Sequence, residues 1–170
     1  MQVKVRGLRG SLLEDIVNRT IEEYRVKKLA LIQKIPTPIV PLKMDTEGHI
    51  TLAYFDKKST VDYIGNVQEI PVCFDAKECK TDKFPLGNIH KHQVEFMRDW
   101  EEQGGVSFIL IYFSHKLLGY YMRYSELIKY YKQKQDFKIS ELDEKYFINM
   151  KNKIKIDILS KLQLDIDSRE

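Results

Sequence analysis

The sequence predicts an α/β protein: a mixed central β-sheet with helices packed on it. Three observations carry this. An amphipathic helix opens the chain between Leu13 and Tyr24. A run of short strand-like segments follows, of which Val72 to Ala76 alternates apolar and polar residues. Helix, strand, strand and helix patterns then close the chain, and Val106 to Phe113 is its most hydrophobic run. That order is the order of a layered domain.

Residues 1–10 are basic and glycine-containing and read as a flexible lead-in. Ser11 stands three residues before Glu14, a capping box that starts a helix running to about Lys27. Leu13, Ile16, Val17, Thr20, Ile21 and Tyr24 form its buried stripe. Glu14 has two open roles: completing the cap, or bordering the stripe and reaching a site. Leu29 to Ile32 reads as a short buried strand ended by Pro36-Thr37-Pro38. Residues 36–50 suggest a projecting hairpin turning at Asp45 to Gly48, with Thr51 to Phe55 continuing the return arm.

Ser59 to Gly65 and Val72 to Glu78 read as the two strands of a second hairpin, with Gln68-Glu69 as its turn. Hairpin register follows from where the loop sits, so a turn there pairs Asp62 with Asp75. Alternation makes the second strand half-buried and puts Asp75 and Lys77 on one face. Like charges directly opposed, with Cβ atoms roughly 4.5–5.5 Å apart, repel. A divalent cation between the carboxylates removes that repulsion, and hard cations take oxygen ligands. As a bare spacing, the same residues could be a solvated strand face. Their position inside apolar, β-branched runs argues against that, as does the register that joins them independently.

Phe84-Pro85-Leu86-Gly87 ends the strand, and Asn88 is the expected N-cap of a helix from Ile89, closed by Gly104-Gly105. Gln93 occupies an apolar slot on that helix with Phe96, Met97 and Trp100, as a satisfied core group or as a site residue. His90 and His92 are two apart and cannot share a helical face, so they are not read as metal ligands. Val106 to Phe113 is the expected central strand, and Leu117 to Tyr124 the next, across a Ser114–Lys116 turn. Ser125 is the expected cap of a short helix bearing Lys129, Lys132 and Lys134, a basic surface. Ser140 to Asp143 looks like a helix start, 154–159 is amphipathic, and 159–170 reads as a polar end.

The chain has 170 residues, 31% of them charged, and a net charge of +3, which permits nucleic acid as a partner without requiring it. Cys73 and Cys79 show neither a zinc-knuckle nor a disulfide-framework spacing, so a reducing, cytoplasmic setting is expected. No apolar run reaches the roughly 18–20 residues of a membrane span.

Ser59-Thr60-Val61-Asp62-Tyr63 with Asp75-Ala76-Lys77 resembles the PD-(D/E)XK nuclease pattern. Further words stand in order around it: Lys34-Ile35-Pro36-Thr37-Pro38, Ala53-Tyr54-Phe55, Phe74-Asp75-Ala76-Lys77-Glu78, and Phe84 through Gln93. Together they resemble the RecU family of Holliday-junction resolvases over roughly Arg9 to Ile158. The resemblance implies a restriction-endonuclease-like fold in one nuclease domain over 1–170, with 36–50 as the family's stalk. It implies a homodimeric, Mg²⁺-dependent endonuclease, with Mn²⁺ as a substitute. Such an enzyme cuts four-way DNA junctions to leave 5′-phosphates and 3′-hydroxyls, and has recombinase or branch-migration proteins as further partners. Carried over by residue, Asp62, Asp75, Lys77, Glu14, Gln93 and Thr60 are catalytic, with Asp62, Asp75, Thr60 and Gln93 on the metal. Lys34, Lys43, Lys57, Lys58 and Lys91 are expected DNA contacts. Asp75 stands where relatives often carry Glu, Ile35 where they often carry a second lysine, and the stalk tip Asp45-Thr46-Glu47 is acidic. Two rival readings are a non-cleaving DNA-binding or recombination-modulating protein, and a nuclease acting on flaps or broken ends.

Overall fold

The structure is a computed structural model that describes residues 12–56, 60–152 and 154–169. The lead-in at 1–10, the Ser11 cap, Lys57, Lys58 and Ser59 lie outside the described residues. Helix α1 spans Leu12–Val26, and strand β1 Leu31–Lys34. A two-stranded ribbon follows, β2 (Ile39–Met44) and β3 (Ile50–Phe55), then the hairpin β4 (Tyr63–Val67) and β5 (Ile70–Cys79). The short strand β6 (Lys83–Phe84) leads into helix α2 (Lys91–Glu102). Strands β7 (Val106–Phe113) and β8 (Leu118–Arg123) precede helix α3 (Tyr124–Gln133), and β9 (Phe137–Lys138), β10 (Phe147–Asn149) and helix α4 (Ile158–Asp167) complete the chain. Among the described residues, six strands form one sheet in the order β1-β4-β5-β7-β8-β10. β5 and β7 run parallel at its centre, and the other pairs are antiparallel. The sheet is therefore mixed, as expected, and α2 lies in the crossover that a parallel pair requires.

The two faces of the sheet are built differently. On one, Tyr63, Phe74, Phe108 and Tyr121 stack ring on ring across four strands, at 4.7, 4.7 and 4.2 Å between centroids. Tyr63, Phe74 and Phe108 are register partners and Tyr121 is the diagonal neighbour of Phe108, and ladder spacing is close enough to the thickness of stacked rings for both arrangements to stack. Helices α1 and α4 cover this face. The Tyr63 hydroxyl donates to Asn18 Oδ1 (3.0 Å), and the Tyr121 hydroxyl to the buried Asp165 (3.1 Å). On the other face, Ser107 donates to the Met97 carbonyl of α2 (3.4 Å), and Gln93 of α2 meets Asp75.

Several expected elements shift. The strand expected at Leu29 to Ile32 is β1, two residues later and at the sheet's edge, where Leu31 is 65% exposed. The hairpin expected at 36–50, with Thr51 to Phe55 continuing its return arm, forms as β2 and β3. Strand β4 starts at Tyr63, so Thr60 to Asp62, expected within it, precede it. Strand β5 is not half-buried: Cys73 and Asp75 are as inaccessible as Val72 and Phe74, because helices close both faces. Asn88 ends a short 3₁₀ turn, and His90 is the N-cap of α2. Ser125 lies inside α3, whose N-cap is Arg123. The helix expected at Ser140 to Asp143 is a pair of 3₁₀ turns. Residues 159–170 are not merely a polar end: most of α4 lies there, with Leu162 and Asp165 buried and Asp157 accepting a hydrogen bond from Ser160 N at its start. Among the described residues no helix is long and apolar enough to cross a membrane.

The turn Gln68-Glu69 is as expected, with φ of 46° and 76° at its two residues. Two positive φ values in a two-residue loop match the twist of the flanking strands. In β4, Gly65 is required by the edge strand: a Cβ there would meet Leu31 O at 2.2 Å and Ile32 Cα at 2.6 Å. Gly65→Ala is expected to lower stability by about 2–3 kcal/mol, since overpacking must push backbone aside. Gly87→Ala, where a Cβ meets nothing within 4 Å, is the control and should change stability little. Urea denaturation of both variants checks this.

Candidate active site

The site begins where β4 ends. The β4–β5 register runs from Val67↔Ile70 to Tyr63↔Phe74 and stops there, which places residue 62 opposite 75. Beyond it, β5 continues along β7 but has lost its antiparallel neighbour. Side chains replace the missing ladder. The Asp62 N–H donates to Asp75 Oδ1 (3.1 Å), and the Ala76 N–H donates to Asp62 Oδ2 (3.0 Å). In an extended strand the N–H and C=O of one residue point the same way, so the Ala76 carbonyl faces this gap too. Asp62 is itself held by its carbonyl, which accepts from Ile35 N (2.8 Å).

Asp75 is wholly buried. Its Oδ2 accepts from Gln93 Nε2 at 2.9 Å and from Lys77 Nζ at 2.5 Å. Burial pushes the Asp75 carboxyl up to about 7, and the adjacent Asp62 carboxylate adds to the rise. Lys77 pulls the other way and does not win. Gln93 is fixed at both ends, because its Oε1 accepts from His90 N (3.0 Å), the N-cap of α2. This single side chain caps the helix and steers the carboxylate. Its oxygen is turned to His90 and its amide nitrogen to Asp75.

The remaining expected residues spread around this core. Thr60 is half-buried and makes no side-chain hydrogen bond among the described residues. Glu14 sits on the first turn of α1 and is ion-paired with Lys34 of β1. Lys34, expected to meet DNA, therefore meets a carboxylate. Lys43 is exposed on the ribbon, and Lys91 pairs with Glu95 at 3.3 Å on the surface of α2. Among the described residues no group of three or more His, Cys, Asp or Glu is placed to hold a metal ion. The donor set at the gap is two carboxylates and a main-chain carbonyl, all hard oxygens. This fits Mg²⁺, which commonly keeps several waters and takes one or two protein carboxylates. It does not fit a closed zinc or calcium cage.

Two contributors escape sequence reasoning. The Glu78 carboxylate accepts the Leu13 N–H (2.8 Å), so β5 caps α1 from 65 residues away. His90 acts through its main-chain N–H, which no side-chain pattern marks. The metal-free protein is expected to lose melting temperature as pH rises from the ordinary aspartate range toward about 7. A carboxyl that keeps its proton in the fold but not in the unfolded chain stabilises only while protonated. Asp75→Asn should flatten that slope, and added Mg²⁺ should reverse it in the wild type. Scanning calorimetry across this range checks all three.

The sequence matches the family model described as "Recombination protein U" over residues 8–164. A Holliday junction resolvase RecU from Leuconostoc mesenteroides is 38% identical over 150 residues, covering 84% of this chain and 74% of that protein. Another, from Limosilactobacillus reuteri, is 40% identical over 133 residues, covering 75% of this chain and 65% of that protein. The solved structure of Hjc, a Holliday junction resolvase from Archaeoglobus fulgidus, aligns with a TM-score of 0.30 and 10% identity over 71% of this chain and 90% of its own.

Proposed function

This chain belongs to the Recombination protein U family, and from that premise we propose that it is a structure-specific endonuclease that resolves four-way DNA junctions. The reading is carried by one observation: two aspartates and a lysine meet at the gap where β4 stops beside β5. A protein that only bound DNA would gain nothing from two opposed carboxylates, one of them wholly buried. Asp62, Asp75 and the Ala76 carbonyl would hold Mg²⁺, with Mn²⁺ as a substitute. Such an ion supplies Lewis-acid polarisation of a phosphate and a more acidic water.

Each side chain has a separate task. Lys77 donates to the negative charge that grows on the attacked phosphate, an interaction stronger in the transition state than before it. Gln93 fixes the rotamer of Asp75. Thr60, two residues before Asp62, is a supporting residue whose hydroxyl makes no hydrogen bond among the described residues. Glu14 and Lys34 border the site from α1 and β1 as a pair. The products are a 5′-phosphate and a 3′-hydroxyl. Paired cuts on opposed strands require two such sites related by a two-fold axis, hence a homodimer; its DNA substrate and free cysteines fit a cytoplasmic setting. A flap nuclease of the same chemistry needs no such symmetry.

Asp75→Ala is expected to abolish cleavage of a four-way junction while leaving its binding within a few-fold. Lys77→Ala should lower the single-turnover rate by about 10²–10³, the range for losing one transition-state donor. A cleavage assay on junction, flap and duplex DNA, with and without Mg²⁺, checks both. Undiminished cutting by Asp75→Ala removes the assignment, and a preference for flaps over junctions moves the substrate.

A further inference from the structure

A second like-charge pair stands outside the site. The β6–β9 ribbon places Lys83 directly opposite Lys138. Opposed cations destabilise a ladder, just as opposed carboxylates do. The pair cannot relax by slipping, because the neighbouring residues of the ribbon, Phe84 and Phe137, are wholly buried and stacked at 5.0 Å. Tyr130 packs on Phe137 from α3 (4.8 Å). Slipping the ribbon by one residue would exchange buried rings for lysines. Lys134, in the left-handed conformation at the end of α3, lines a cavity of about 420 Å³ with Lys83, Lys138, Gln135, Asp136 and Glu141, the last held by the Lys138 N–H (2.6 Å). Asp136 takes up Lys83 at 2.9 Å, but among the described residues neither Lys134 nor Lys138 has an ion-pair partner.

The ribbon is tied to the acid pair. Asp136 Oδ1 accepts from Leu86 N (2.9 Å), four residues before His90, whose N–H is held by Gln93. Four residues span at most about 14 Å, roughly four base-pair steps of duplex. The exposed ribbon of β2 and β3 closes at its base where Asp56 N donates to Pro38 O (3.1 Å), six residues ahead of Asp62.

We propose that the cavity of Lys83, Lys134 and Lys138 is a phosphate-binding surface for the duplex arm that leaves the active site along α2. The proposal rests on the nuclease reading and adds where an arm is held. Two lysines held in fixed backbone register, with a third beside them, suit successive phosphates of a polyanion, and the binding carries the salt dependence of released counterions. Charge on this surface positions an arm without reading its sequence.

The test is fluorescence anisotropy of an immobile four-way junction in Ca²⁺, across a series of NaCl concentrations. The double variant K83E/K138E is expected to bind at least tenfold more weakly, with a log K–log salt slope shallower by about two. K145E/K151E changes net charge equally, on the segments either side of edge strand β10 and outside the cavity lining, and should leave both quantities alone. Equal losses in the two doubles would overturn the proposal, since bulk charge alone would then explain them. Should K83E/K138E unfold, Lys134→Gln, which lies outside any ladder, is expected to weaken binding about threefold. Trimming the arms to about five base pairs, half a helical turn, should erase the difference between wild type and variant. A difference that survives trimming, or a variant that binds like wild type while the wild type binds well, overturns this surface alone. A wild type that binds no junction overturns the function proposed above with it.

Discussion

The arrangement depends on a strand that ends early. β4 stops at Tyr63 while β5 runs on to Cys79, and the main-chain groups at Ala76 are left without a partner strand. Buried main-chain polar groups must be satisfied. Asp62 does so with a side-chain oxygen, and Asp75 returns the exchange by taking the Asp62 N–H. Two carboxylates are thereby drawn into a space that would otherwise hold two peptide hydrogen bonds. The need to finish the sheet's hydrogen bonding and the gathering of negative charge are one event.

Everything adjoining the gap serves to keep it in place. The aromatic stack from Tyr63 through Tyr121 fixes the strands from one face. Glu78 pins the start of α1, and Gln93 pins the start of α2 to Asp75 from the other face. Lys77 offsets part of the Asp75 charge, yet burial still holds the carboxyl far above its ordinary range. Burial alone disfavours a charge of either sign; it is the repulsion added by the Asp62 carboxylate that a cation between the two acids would relieve.

Much of this was legible in the sequence. The hairpin turn at Gln68-Glu69 marked itself by position and set the 62–75 register. Period-two alternation placed Lys77 on the side of Asp75. Val106 to Phe113 announced a central strand by continuous hydrophobicity. The misplacements have physical causes. Ser125 and Asn88 are good caps by type, but tertiary packing began the helices at Tyr124 and Lys91. Ser140 to Asp143 has helix-start residues, but the chain behind them extends into β10 at Phe147 to pair with β8, so only 3₁₀ turns form. The polarity of the last residues hid α4, whose buried polar residue is Asp165, satisfied by the Tyr121 hydroxyl and Arg169. Long-range pairings such as Glu14 with Lys34 and Glu78 with Leu13 leave no mark in local pattern.

The central claim is that one divalent ion is shared by Asp62 and Asp75. Calorimetric titration of Mn²⁺ into the protein without DNA tests it most directly, with Asp62→Asn and Asp75→Asn alongside. One ion per chain in the wild type, lost or severely weakened in both variants, is the predicted result. Unchanged stoichiometry and affinity in either variant would contradict it.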